Sequence, residues 1–168
     1  MTKNFIASGC SFTYGHELSD DVKGEKPSNN TWAYKLFQNR KSEQYVCSAS
    51  AGSGNSGIAR RTFEKISNSD VDCVVVMWSF LSRYDWAMPR HSALEKTRWA
   101  SISPWDTNSG NEEAFRTIQG SETQSEQWRV RRQNFEKTGV RPFAEAIYKH
   151  AANQYHEVYL SWKSIVWL

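Results

Sequence analysis

No apolar stretch of the chain approaches the roughly 18 residues that a membrane span requires. The opening residues hold no apolar h-region with a small-residue cleavage site. A soluble intracellular product without a signal peptide is therefore expected, with no membrane partner. Cysteine is scarce and odd in number: Cys10, Cys47 and Cys73 lack metal-ligand spacing. That pattern predicts packed free thiols in a reducing compartment rather than a disulfide framework or a metal centre. A strong excess of one charge is also missing, since 21 Lys and Arg face 18 Asp and Glu for a net +3. Nucleic-acid binders concentrate basic residues on one face, so this mild charge argues neither way; the small cluster Arg129, Arg131 and Arg132 is expected on a solvated helix face, and no nucleic-acid partner is expected. Repeats and low-complexity tracts are absent. What the chain has instead is aromatic content, 14% with eight Trp against 39% hydrophobic residues in all, so core and binding surfaces should rely on rings.

A length of 168 residues fits one domain. Asn4 to Ser8 reads as a first strand, followed by a polar, turn-rich segment to Asn30. Thr31 can cap a helix carrying Trp32, Leu36 and Phe37. Gln44 to Ser48 reads as a second strand and Ala49 to Gly57 as a small-residue loop. A second amphipathic helix follows, with Ile58, Phe63 and Ile66 inward and Arg60, Arg61, Glu64 and Lys65 outward. Val71 to Trp78 is the strongest strand, its Val74-Val75-Val76-Met77 run suiting a central parallel strand buried on both faces. An irregular insertion over about 84–127 holds Trp86, Trp99 and Trp105. Helices are expected over Glu126 to Lys137, over Pro142 to Ala152, and over Glu157 to Leu168 with Val158, Tyr159, Trp162, Ile165 and Val166 on one face. A strand from Val158 to Trp162 is the alternative for that last segment. The apolar end, Ile165-Val166-Trp167-Leu168, reads as cut rather than finished.

The β-α-β-α-β order with right-handed crossovers predicts a three-layer α/β/α sandwich on a parallel sheet, flavodoxin-like, with strand order 2-1-3 and an incomplete carboxyl end. Ligands bind such sheets at the carboxyl ends of strands, at the switch point between strands 1 and 3. Ser11, the Gly52 loop and Trp78-Ser79 all fall at those ends. One crevice should therefore gather three segments distant in sequence.

Ser11 lies in Gly9-Cys10-Ser11-Phe12-Thr13-Tyr14-Gly15 directly after the first strand, where a nucleophile can be presented. A serine attacks an ester only when an adjacent base takes its proton, and the oxyanion needs fixed donors about 3 Å away. The Ser11 N–H and Gly52 N–H are the candidate donors, with Asn55 a third whose competing role is to cap the helix that follows. Ser79, Arg83 and Asp85 follow the third strand. Arg83 would suit an anionic or hydroxyl-rich ligand, and a surface ion pair is the alternative. Cys10 beside Ser11 is expected to be packed. Gly52-Ser53-Gly54-Asn55-Ser56-Gly57 matches the dinucleotide pattern G-x-G-x-x-G. Asp70 and Asp72 stand at the wrong end of the next strand to hold a ribose, so a tight turn with Asn55 or Ser56 as helix N-cap is expected and no cofactor. Trp86, Trp99 and Trp105 are candidates for either a sugar-stacking platform or a local aromatic core.

The Gly9 to Gly15 block resembles the first block of the SGNH (GDSL-type) hydrolase family, with Cys10 where the family usually has aspartate. Ala51-Gly52-Ser53-Gly54-Asn55, leading into Ile58-Ala59-Arg60-Arg61, is similar to the second block, whose glycine donates to the oxyanion. Val74 to Ser79 aligns with the strand before the third, where Trp78 to Arg83 lacks the usual asparagine, as in some phage-encoded members. The resemblance covers roughly the first half of the chain. It implies an acyl or acetyl esterase with Ser11 as nucleophile and Gly52 donating to the oxyanion, and a small-molecule or carbohydrate ester as partner; Asn55, Ser79 and Arg83 are the further candidates around the substrate by their position. The family's last block, aspartate-x-x-histidine, has no counterpart: Asp20, Asp21, Asp70, Asp72, Asp85 and Asp106 all lack a histidine three residues on. His16 is a loop residue near Ser11 in sequence, and His91, His150 and His156 are not placed as bases. A hydrolase-like binding or virion structural module, with a virion or homo-oligomeric partner, is the alternative expectation.

Overall fold

The computed structural model describes residues 3–21, 25–87, 99–104, 139–151 and 154–166, with positions 133 and 137. Three parallel strands form one sheet in the order β2-β1-β3: β1 (Asn4–Ser8), β2 (Gln44–Cys47) and β3 (Val71–Val76). Helices flank this sheet, and the α/β order is the one the sequence predicts. β1 is buried along its whole length. β3, read from sequence as the doubly buried centre, is only partly buried and lies at the sheet edge among the described residues. An apolar run marks a strand as largely covered, and does not say which strand stands in the middle.

Alternation along β1 explains the layers. Phe5 and Ala7 face α2 (Trp32–Gln38) and pack with Ala33, Phe37 and Tyr45. Phe37 and Tyr45 each lie about 6 Å from the Phe5 ring, and Tyr34 meets Tyr45 edge-on at 5.1 Å, so rings fill this layer. Thr31 caps α2 by accepting the Tyr34 N–H at 3.1 Å. The opposite face of β1 receives α3 (Asn55–Ser67) through the fully buried Ile58. Here the expected stripe is rotated. Phe63 is 61% exposed, while Arg61 turns inward and donates from Nε to the Ser48 carbonyl at 3.0 Å and from its terminal nitrogen to Ser53 Oγ at 2.7 Å.

Two described stretches of the expected insertion are strands. β4 (Tyr84–Ala87) and β5 (Trp99–Ile102) form an antiparallel ribbon in which Trp86 opposes Ala100 and Ala87 opposes Trp99. One face of the ribbon carries Tyr84 and Ile102 onto Val140 and Ala144 of α4 (Val140–Ala146), a second small core. α4 starts two residues before the expected position and continues as a π-helical turn over Ile147–Ala151. Trp105 and most of the expected helix over 126–137, including Arg129, Arg131 and Arg132, lie outside the described residues.

α5 (Gln154–Val166) is a helix, not the alternative strand. Its polar residues Ser161 and Ser164 are buried, and its apolar face is the solvated one, with Tyr155 88% and Trp162 58% exposed. Hydrogen bonds explain part of this inversion. Ser161 Oγ is used by Asn55, and Glu157 accepts from the Tyr84 hydroxyl at 3.3 Å. Burial, reinforced by the Glu157 charge, pushes Tyr84 up to about 12. No helix among the described residues is long and apolar enough to cross a membrane.

These placements separate two substitutions of aromatic residues. Phe5→Ala should lower unfolding stability by about 3–5 kcal/mol, whereas Trp162→Gln should change it by less than about 0.5 kcal/mol. Urea titrations of both variants check this; a Trp162→Gln loss as large as that of Phe5→Ala would contradict the outward aspect of α5.

Candidate active site

The carboxyl edge of β1 is where the three segments meet. α1 (Ser11–Tyr14) is a single turn that starts immediately beyond β1, with Cys10 as its N-cap and Gly15 closing it in the left-handed region at φ 81°. Ser50 N–H donates to the Gly9 carbonyl at 3.2 Å, tying the second loop to this turn. Met77 N–H donates to the Ser8 carbonyl at 2.9 Å, tying the third. Gly9 has no room for a side chain: a Cβ there would fall 2.2 Å from Thr13 Oγ1 and 3.0 Å from the Met77 carbonyl. The approach of the three loops thus requires glycine at the end of the strand.

Of the two adjacent nucleophile types, Cys10 is 3% exposed and Ser11 is half-buried with access to solvent. Of the two residues, the serine is the one open to solvent. All three cysteines are free, and burial pushes the Cys47 thiol up. Gly52 takes φ 76°, a left-handed conformation that favours glycine. Neither the Ser11 N–H nor the Gly52 N–H donates to a backbone carbonyl among the described residues. Both are the kind of donor an oxyanion requires.

Asn55 is at the centre of a different arrangement. The helix N-cap is Gly54, so Asn55 is the first helical residue and its side chain caps nothing, contrary to the expectation from sequence. Its Oδ1 accepts the Ser79 N–H at 2.7 Å, while its Nδ2 donates to the Ser79 carbonyl at 3.3 Å and to Ser161 Oγ at 2.9 Å. The amide is buried and committed to joining the second loop, the third loop and α5. Ser79 in turn accepts from the Arg83 guanidinium at 2.9 Å, and that guanidinium stands 5.0 Å from the Phe80 ring. Asn55, Ser79 and Arg83 therefore form one chain of contacts. Ser11 and Gly52 reach the same edge through their own loops.

Asp85 makes no ion pair with Arg83. It turns beneath the start of α3, where its carboxylate accepts the Gly57 N–H at 3.1 Å and the Ser101 hydroxyl at 2.5 Å. The G-x-G-x-x-G pattern is explained by this contact. A Cβ on Gly54 would meet the Arg83 carbonyl at 2.4 Å, and one on Gly57 would meet the Asp85 carboxylate at 2.5 Å. The helix amino end that would hold a pyrophosphate in a dinucleotide fold already holds a carboxylate of the same chain. Asp85 was legible only as a residue near the crevice. Ser161, 106 positions from Asn55, left no signal in the sequence.

The turn-rich segment after α1 is folded back on it. Ser28 N–H donates to the Tyr14 carbonyl at 2.9 Å, and Asp20 accepts from the Ser28 hydroxyl and from Asn29 N–H at 2.7 Å. Those bonds, Ser28 first, hold the Asp20 carboxyl below the usual range. His16 N–H donates to the Ser11 carbonyl at 3.2 Å, and its Nδ1 lies 3.5 Å from the Glu17 carboxylate. No histidine hydrogen-bonds Ser11 Oγ among the described residues. His150 and His156 are exposed on the last two helical segments, and His91 lies outside the described residues. No group of three His, Cys, Asp or Glu among the described residues could hold a metal ion.

The ribbon register places Trp86 and Trp99 on opposite faces, so they form no common platform. Trp86 packs on Phe143 at 4.8 Å and Trp99 lies under the Arg60 guanidinium at 4.1 Å. No protein-family model, curated protein or solved structure matches the chain.

Asn55→Ala strips the part-buried Ser79 and the buried Ser161 of their partner and should cost about 2–3 kcal/mol in chemical unfolding. Gly57→Ala should destabilise the wild type and become neutral or stabilising in an Asp85→Ala background, because alanine is the better helix former once the carboxylate is gone. Unfolding midpoints of the four-member cycle measure this change of sign; simple additivity would contradict the contact.

Proposed function

We propose that the chain is a serine ester hydrolase of SGNH type, acting on an acyl or acetyl ester of a small substrate, with Ser11 as the nucleophile. The observation that carries the reading is the position of Ser11: first residue of a one-turn helix at the carboxyl end of the central strand, solvent-accessible beside a buried Cys10. Attack of Ser11 Oγ on the ester carbonyl forms a tetrahedral oxyanion. The Ser11 and Gly52 N–H groups stabilise it while the hydroxyl proton passes to solvent. Collapse breaks the ester C–O bond, the alkoxide takes up a proton from solvent and leaves as the alcohol, and water hydrolyses the acyl-enzyme. Arg83, held by Ser79 and Phe80 at the mouth of the third loop, suits a substrate with anionic or hydroxyl groups. Trp86 and Trp99 share no face of the ribbon, so the carbohydrate part of the expectation draws no support from this pair.

The second reading, a hydrolase-like binding or virion structural module, is favoured by one observation. Ser11 Oγ has no histidine partner among the described residues. A serine without its base loses several orders of magnitude in rate.

Treatment with a fluorophosphonate probe decides between them. The esterase reading expects one label per chain, located at Ser11 by peptide mass spectrometry and absent in Ser11→Ala. A folded wild-type protein that stays unlabelled at long exposure leaves the binding module as the function.

A further inference from the structure

The second loop, which carries Gly52, is spanned by one side chain. Arg61, in the second turn of α3, reaches both ends of it. Its Nε donates at 3.0 Å to the carbonyl of Ser48, the first residue after β2, and its Nη2 donates at 2.7 Å to Oγ of Ser53, the residue before the Gly54 cap. Ser53 is fully buried and passes the contact on. Its hydroxyl donates to the Ser50 carbonyl at 2.9 Å, and its N–H donates to the same oxygen at 3.3 Å. Ser50 N–H in turn donates to the Gly9 carbonyl at 3.2 Å, two residues before Ser11. A continuous line of bonds thus runs from the guanidinium to the turn that presents Ser11. Gly52, at φ 76°, is enclosed between the bonded residues Ser50 and Ser53.

This task needs a guanidinium. Two N–H groups fixed on one planar edge reach two acceptors at once, whereas a lysine ammonium is a single point on a flexible stem. Oxyanion stabilisation requires donors that are already in place, since reorientation during the reaction would cost what the bond contributes. We infer that Arg61 is a positioning residue, which acts by holding the Gly52 N–H in the orientation that receives the oxyanion. The inference rests on the esterase reading of Ser11 and assigns Arg61 no contact with the reacting atoms.

The kinetics of fluorophosphonate labelling at Ser11, resolved into probe affinity (KI) and rate at saturation (kinact), test this. Arg61→Met should lower kinact about 10–100-fold with KI changed by less than about threefold, because a misplaced donor weakens the transition state and not ground-state binding. Arg61→Lys keeps the charge and loses the fork, and should show most of the same loss. Ser53→Ala, which cuts the relay and leaves the guanidinium in place, should lower kinact in the same way. The double variant Arg61→Met, Ser53→Ala should lose little more than Arg61→Met alone. Amide hydrogen exchange should quicken at Ser50 and Ser53 in Arg61→Met and stay unchanged at Tyr34 in α2, a local signature that a general loss of stability does not produce. A labelled wild type whose kinact is retained in folded Arg61→Met or Ser53→Ala would overturn the inference and leave the esterase reading standing. Slowed labelling with exchange at Ser50 and Ser53 unchanged would overturn it too. A wild type that is never labelled removes the esterase reading and the role of Arg61 together.

Discussion

The first turn of α3 is the constraint on which the carboxyl edge depends. Four separate segments converge on it: the second loop leads in through Gly52 and Gly54, Ser79 bonds to Asn55, Asp85 sits under Gly57, and Ser161 reaches Asn55 from the last helix. Backbone N–H groups at a helix start need acceptors, and this one takes a carboxylate from the ribbon instead of solvent or ligand. The close approach is possible only because two of the residues involved have no side chain. Crowding and hydrogen bonding therefore select the same arrangement.

That arrangement has a consequence for chemistry. Asn55 is the amide best placed by sequence to assist an oxyanion, and it is committed to structure at both ends. The donors left at the edge are main-chain N–H groups of Ser11 and Gly52, whose positions are set by a one-turn helix and a left-handed glycine. A site built from backbone needs rigid loops, and the bonds from Ser50 to Gly9 and from Met77 to Ser8 supply that rigidity.

The two cores differ in kind. Beneath α2, rings of Phe5, Tyr34, Phe37 and Tyr45 fill the space, as the high aromatic content suggested. The second core, around Tyr84, Ile102, Val140 and Ala144, belongs to a ribbon and a helix whose residues are separated by a long stretch of sequence. Tyr148 closes it by donating to the Ser82 carbonyl at 2.5 Å. α5 is held by polar contacts on its inner face, which explains how a helix rich in Val, Ile and Trp can present those residues to solvent.

Local pattern was enough for the three strands, the Thr31 cap and the 2-1-3 order, because alternation, capping chemistry and crossover handedness act over a few residues or through chain direction alone. It was enough as well to bring Ser11 and the two later loops to one edge. It could not reveal that Phe63 points outward while Arg61 points inward, since helical spacing defines a stripe but not which neighbour the stripe meets. Nor could it assign Asn55 to Ser79 and Ser161, or Asp85 to the amino end of α3. Those bonds join residues 24, 106 and 28 positions apart. Such pairings exist only once packing has brought the segments together, so tertiary structure alone decided them.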